Sequence, residues 1–210
     1  MIYEKTMNRL KEIKKMKTAD IDAIAREYLK NNLDVSELYS HIGESGALHR
    51  IYFVVSLKQI KKFEEQMAFI EKHFSDLHDW WHVDVLLQLL LKAPSFDYVY
   101  SKAQQYVRSE LLFARRWGYV IFLGGYQKKP EYTKAILALM HDDNEYYVQM
   151  AEAWLIADLA IYNSGEVIKF IESQPLHYNI IGKAIQKISD SFRISGDIKK
   201  RAKELRALYK

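Results

Sequence analysis

Apolar residues recur at three- and four-residue spacing along almost the whole chain, which is the period of a helix with one buried face. The pattern predicts helical segments at 2–16, 20–31, 34–42, 47–55, 57–75, 79–92, 96–107, 109–126, 131–140, 144–162, 165–173, 177–193 and 197–208. Strands are hard to place anywhere. The punctuation agrees: Asp20 and Asp34 are suited to helix starts, Pro94 and Pro130 to helix stops, and Gly165 and Gly196 to helix C-termini. Connections this short force consecutive helices to fold back on one another. A long series of such hairpins either closes into a bundle or stacks into a solenoid. No exact repeat is visible, but a repeat of this kind only has to bury its faces on its neighbours, so the expectation is an all-α solenoid forming a single domain over 1–210.

Composition narrows the chemistry. The chain is 49% hydrophobic and 13% aromatic, enough for a sizeable core, and it has no cysteine. Disulfides, thiolate nucleophiles and cysteine-held metal clusters are therefore excluded, and a reducing compartment such as the cytoplasm is the expected location. The N-terminal MIYEKTMNRLKEIKKMK is basic and amphipathic, unlike a secretory signal. The most apolar stretch, Val83 to Leu91, contains Asp84 and Gln88 and is too short to span a bilayer, so no membrane partner is expected. The formal net charge of +4 is unevenly spread: residues 183–210 carry +6, residues 1–17 carry +4, and the intervening residues carry −6. Basic ends either form solvated helix faces or attract a polyanion by releasing its counterions.

The densest unusual segment is HDWWHVD at 78–84. Trp80 and Asp84 are four apart and share a helical face, where an indole and a carboxylate could meet one ligand. Trp154 and Asp158 repeat the spacing within YYVQMAEAWLIADLAIY. A tryptophan in an apolar helix usually belongs to the core. A carboxylate is harder to place there, because burying it unpaired costs several kcal/mol. Asp84, followed by VLLQLLL, therefore needs a partner, and Arg115 or Arg116 in FARRWGYV is the candidate. His78 and His82 superficially follow the zinc-protease helix pattern, but Asp79 stands where that chemistry needs a glutamate, and no third ligand follows at a diagnostic spacing. No metal or other cofactor is expected. Neither a phosphate-binding glycine loop nor a nucleophile elbow is present.

Three stretches resemble the AlkD-like DNA alkylation repair proteins, which are built from HEAT-like helical repeats. WWHVD is similar to that family's helix bearing a tryptophan and, four residues on, the catalytic aspartate, matching Trp80 and Asp84. LLFARRWGYVIFL is similar to its basic segment, matching Arg116 best, with Arg115 as the other choice. YYVQMAEAWLIADLAIY, followed by AIQKISDSFRIS, is similar to its C-terminal signature, with Trp154 as the second functional tryptophan. The resemblance runs from about residue 65 to the end. It implies a monofunctional DNA glycosylase that hydrolyses the N-glycosidic bond of alkylated purines such as 7-methylguanine and 3-methyladenine. Its partner would be duplex DNA containing alkylated bases, gripped by a monomer in a concave basic cradle. Asp84 would be the catalytic carboxylate, with Trp80 and Trp154 against the sugar and Arg116 on a phosphate.

Lys183 and Lys187, four apart on one face, are expected on the DNA track, with Lys199, Lys200, Lys203 and Arg206 crowding the last helix. Arg193 is expected to pair with Asp190 or a helix C-terminus. Two other readings stay open: a member of the fold that binds nucleic acid without catalysis, and a protein-interaction scaffold.

Overall fold

The computed structural model describes residues 1–173 and 175–209, and its regular structure is entirely helical. None of the described helices is long and apolar enough to cross a membrane. The chain divides into two compact units: Met1–His73 with Gln88–Lys92, and Phe74–Leu87 with Ala93–Lys210.

In the first unit, α1 (Ile2–Lys11) and α2 (Thr18–Lys30) lead through a short 3₁₀ helix, Ser36–His41, to α3 (Gly46–Gln59) and α4 (Phe63–Lys72). α3 is apolar on nearly every side. Leu48, Ile51, Phe53, Val55 and Leu57 are fully buried, so it forms the centre of this unit, with α2 packed along it. Ser45 caps α3 by accepting the Leu48 N–H.

The second unit opens with a short 3₁₀ helix, Phe74–Asp76, followed by α5 (Trp80–Leu89). It then runs through α6 (Phe96–Tyr106), α7 (Leu112–Val120), the five-residue α8 (Thr133–Leu137), α9 (Tyr146–Tyr162), α10 (Ser164–Glu172), α11 (Tyr178–Asp190) and α12 (Gly196–Arg206). The packing follows a rule. α7 packs on α9 and α9 on α11, while α8 packs on α10 and α10 on α12; α9 also meets α10, and α11 meets α12. These are two parallel rows of helices joined rung by rung, the helical-repeat solenoid arrangement that the hydrophobic pattern predicts. α9 is to this unit what α3 is to the first: its buried residues, from Val148 to Ala160, face all round the helix because it has a neighbour on most sides.

Several local expectations are corrected. Within 34–42 only Ser36–His41 is helical, and it is 3₁₀ rather than α, with Asp34 accepting the Ser36 N–H at its start. Asp20 lies inside the first turn of α2, where its carboxylate reaches back to the Lys17 N–H. The 109–126 segment is α-helical only to Val120 and then tightens into 3₁₀ turns that end at Gly125, whose φ of 129° suits glycine alone. Pro130 opens a 3₁₀ turn instead of closing a helix, because its missing N–H costs nothing at that position. Gly165 and Gly196 sit at the starts of α10 and α12, not at helix ends. Glycine is tolerated at either end, so its presence at a break does not say which end it occupies.

Gly118 is where α6 and α7 come closest: a Cβ there would lie 2.7 Å from Val107 Cγ1 and 3.0 Å from the Val107 nitrogen. Backbone cannot yield as a side-chain tip can. Gly118→Ala is therefore expected to destabilise by about 1–3 kcal/mol, the usual cost of overpacking. Gly165→Ala, inside a helix and with nothing within 4 Å of the new methyl, is expected to stabilise by up to about 1 kcal/mol. Urea unfolding of the two variants checks the contrast.

Candidate functional site

The helix α5 starts abruptly. Asp79 accepts the Trp80 N–H in place of a preceding turn, and His82 Nδ1 accepts the His78 N–H at 3.2 Å. His82 is buried and meets Trp81 edge to face, with ring centroids 4.1 Å apart. Burial pushes its pKa down to about 4, so at neutral pH the ring is uncharged. The two histidines of HDWWH are thus joined by a cap-like hydrogen bond. Among the described residues, no group of three or more His, Asp or Glu is arranged to hold a metal ion.

One turn further along α5 stands Asp84, whose side chain is 20% exposed. Its Oδ1 accepts from Arg116 Nη2 of α7 at 2.7 Å. Arg116 is only 4% exposed, and its Nη1 donates to the backbone carbonyl of Tyr147 in the first turn of α9 at 2.8 Å. A single guanidinium therefore ties three helices together, its fork geometry matched to one carboxylate and one carbonyl. Of the two adjacent arginines, Arg116 is the partner that Asp84 requires.

Arg115 points elsewhere. It pairs with Asp143 at 2.7 Å and donates to the carbonyls of Ser109 and Glu110. Arg116, expected on a phosphate, and Arg115, the alternative to it, each meet a carboxylate and the backbone: one carbonyl for Arg116 and two for Arg115.

Trp80 is 46% exposed at the solvent end of α5, on the face it shares with Asp84. Trp154 is half-buried on α9, seven residues after Tyr147 and so two turns along the same side of that helix. Of the four residues expected to converge, Asp84 and Arg116 are in direct contact. By helical spacing, Trp80 shares a face of α5 with Asp84 and Trp154 shares a side of α9 with Tyr147. Asp158, the second carboxylate in the Trp/Asp spacing, receives Gln127 Nε2 at 3.3 Å in place of an arginine.

On α11, Lys183 donates to the Asn179 carbonyl and lies 5.6 Å over the ring of Tyr146, itself 58% exposed at the start of α9. Lys183 also lines a surface depression of about 260 Å³ with Tyr178, Gln186 and Arg206. Lys187 is half-buried, one turn along. Lys199, Lys200 and Lys203 line a wider depression on α12. Arg206 is held by the Tyr178 hydroxyl. The expected Arg193–Asp190 pair does not form. Asp190 is taken by Gln186, one turn before it on α11, while Arg193 bonds to the Tyr162 hydroxyl and stacks over its ring.

Sequence reasoning passed over the turn that leads into α9. Asp142 accepts the His177 N–H that opens α11, Asp143 holds Arg115 of α7, and the His141 N–H donates to Glu152 of α9 at 3.2 Å. The sequence signal was Glu152 itself, a carboxyl in the apolar run MAEAW and now fully buried.

Among known proteins, a family model described as DNA alkylation repair enzyme matches residues 3–188. That match reaches far closer to the N-terminus than the resemblance traced from the motifs alone. No curated protein and no solved structure matches the chain.

Two tests follow. Arg116→Ala would strand both Asp84 and the Tyr147 carbonyl, and is expected to cost about 3 kcal/mol, the low end for a buried pair because Asp84 is partly wet. Chemical denaturation reads that loss directly. His82 gives a pH test: its folded pKa lies below the unfolded value of 6.5, so the unfolded chain binds the extra proton first as pH falls. Its contribution to stability is intact above pH 6.5 and is lost toward about 4, and a folded His82→Gln variant should show a shallower acid-side fall in melting temperature than wild type.

Proposed function

The chain belongs to the DNA alkylation repair enzyme family, and from that premise we propose that it is a monofunctional DNA glycosylase releasing cationic alkylated purines from duplex DNA. The observation that carries this reading is the Asp84 carboxylate, partly open to solvent yet fixed in direction by a buried arginine.

An N-alkylated purine already bears positive charge, so it leaves readily. As the C1′–N bond breaks, its electron pair goes to the base and neutralises it, and positive charge develops on the deoxyribose. A preorganised carboxylate lowers the energy of that oxocarbenium and orients the water that adds to C1′. The water's proton passes to the carboxylate or to solvent, leaving an abasic site and a free base. Trp80 and Trp154 offer indole faces whose attraction for the sugar grows as the charge appears. Arg116 is assigned to aiming Asp84, since its burial leaves little of it for a phosphate. Backbone contacts fall to Lys183 and Lys187, on the helix row that also carries Trp154.

The ion pair also supports a second reading, in which Asp84–Arg116 is a structural bridge and the chain grips DNA without cleaving it. Base release from alkylated duplex DNA separates the two. Under the first reading wild type releases methylated purine, whereas Asp84→Asn binds as tightly but slows release by at least about a hundredfold. Binding by wild type with no release from any alkylated substrate selects the second.

The binding surface has its own test. Neutralising Lys183 and Lys187 together should weaken binding with little sequence preference and flatten the dependence of log affinity on log salt by about one unit per lost contact. An unchanged slope would move the DNA track away from α11.

A further inference from the structure

Glu152 is fully buried in the middle of α9, two residues before Trp154 and outside everything the glycosylase chemistry uses. A carboxyl is an expensive group to put there, and its surroundings show what it holds. Oε1 accepts the His141 N–H at 3.2 Å, and the Tyr119 hydroxyl of α7, beside the carboxyl, meets His141 Nδ1 at 2.8 Å. His141 opens the turn whose next residues, Asp142 and Asp143, anchor α11 and Arg115, and which ends in the Tyr147 carbonyl clasped by Arg116. A continuous series of hydrogen bonds and short backbone thus leads from Glu152, through the 141–147 turn, to Arg116 and then to Asp84.

We propose that Glu152 is a positioning residue: it fixes the 141–147 turn so that the Tyr147 carbonyl holds the Arg116 guanidinium, and with it the Asp84 carboxylate, in the reacting direction. The proposal rests on the glycosylase reading for its consequence in rate, but its structural core stands apart from that reading.

The protonation state follows from the same surroundings. Burial raises the Glu152 pKa to about 8. The His141 N–H and the Tyr119 hydroxyl pull it down, and Asp143 and Asp142 push it up. Arg115, paired with Asp143, is the cation on the α7 side. At neutral pH Glu152 is a neutral acid. Once ionised it becomes a buried anion near two aspartates, and the turn that it braces is driven apart. Positioning therefore weakens as pH rises through about 8. Glutamine reproduces the neutral acid in shape and cannot ionise.

The test uses the intact chain. Single-turnover base release, DNA affinity and amide hydrogen exchange across 139–149 are measured for wild type, Glu152→Gln and Glu152→Ala between pH 6 and about 9.5, a window spanning the Glu152 pKa of about 8. Expected are a Gln variant within about twofold of the wild-type rate at neutral pH and without its alkaline decline, and an Ala variant at least about tenfold slower with unchanged affinity and reduced protection of the His141 amide. An Ala variant with wild-type rate and protection overturns the proposal, as does a Gln variant that keeps the alkaline decline. If Ala does not fold, the Gln profile alone decides. If wild type releases no base, it is the glycosylase reading that fails. Exchange then decides the role of Glu152: a fall in turn protection above pH about 8 in wild type but not in Gln supports it, and the same behaviour in both overturns it.

Discussion

A guanidinium cannot be buried without acceptors to meet it, and the arrangement of the second unit depends on how Arg116 satisfies that demand. Its side chain is sealed from water, so the charge has to be balanced by a carboxylate and a carbonyl brought from two other helices. Asp84 supplies the first from α5 and Tyr147 the second from α9. Because both come from separate elements, α5, α7 and α9 are locked in mutual register by one group with rigid geometry. A carboxylate held in this way loses rotational freedom that an enzyme would otherwise have to remove during reaction. Under the glycosylase reading, the same interaction that solves a folding problem would also prepare a catalytic one.

The turn before α9 extends that logic. It is short and rich in charge, and it spends its side chains inward: Asp142 on the backbone opening α11, Asp143 on Arg115, His141 on Tyr119 and, through its N–H, on Glu152. Three successive helices of one row are pinned at the same end by seven residues of chain. Tyr146, at the start of α9, is exposed and lies under Lys183 of α11, and Trp154 further along α9 is half-buried.

Much of this was legible in the sequence because it rests on periodicity and on the cost of burial. Nearly every helix falls where the three-and-four spacing predicts, since amphipathic faces are local information. The 3₁₀ stretches at 36–41 and 121–124 were not separable from α-helix, because over a few residues a period of three and one of 3.6 place side chains on the same face. Asp84 announced its need for a cation, and the arginine pair was the visible source. Choosing between Arg115 and Arg116 required knowing which of two directions about 100° apart faced α5, and that is tertiary information. Glu152 carried the same signal as Asp84 but had no nearby cation to complete it, because its partners are a backbone N–H and a phenol. Arg193 was expected on Asp190 or a helix C-terminus; it bonds to Tyr162, the last residue of α9 and 31 residues away, a distance in sequence that proximity cannot bridge.

The two-row packing also decides where the molecule is free to move. In a stack whose layers touch only their neighbours, an end layer opens without disturbing the interior, whereas an interior layer opens only when those beyond it do. Among the described helices, α12 packs on α10 and α11, whereas α9 is packed by α7 on one side and by α10 and α11 on the other. On that argument Lys199, Lys200 and Lys203 sit on a layer expected to open before the layers joined by Arg116. Under the glycosylase reading, a surface meeting an irregular polyanion and a carboxylate aimed at a sugar would be given different rigidities by their place in the stack, with no hinge or lid required to separate them.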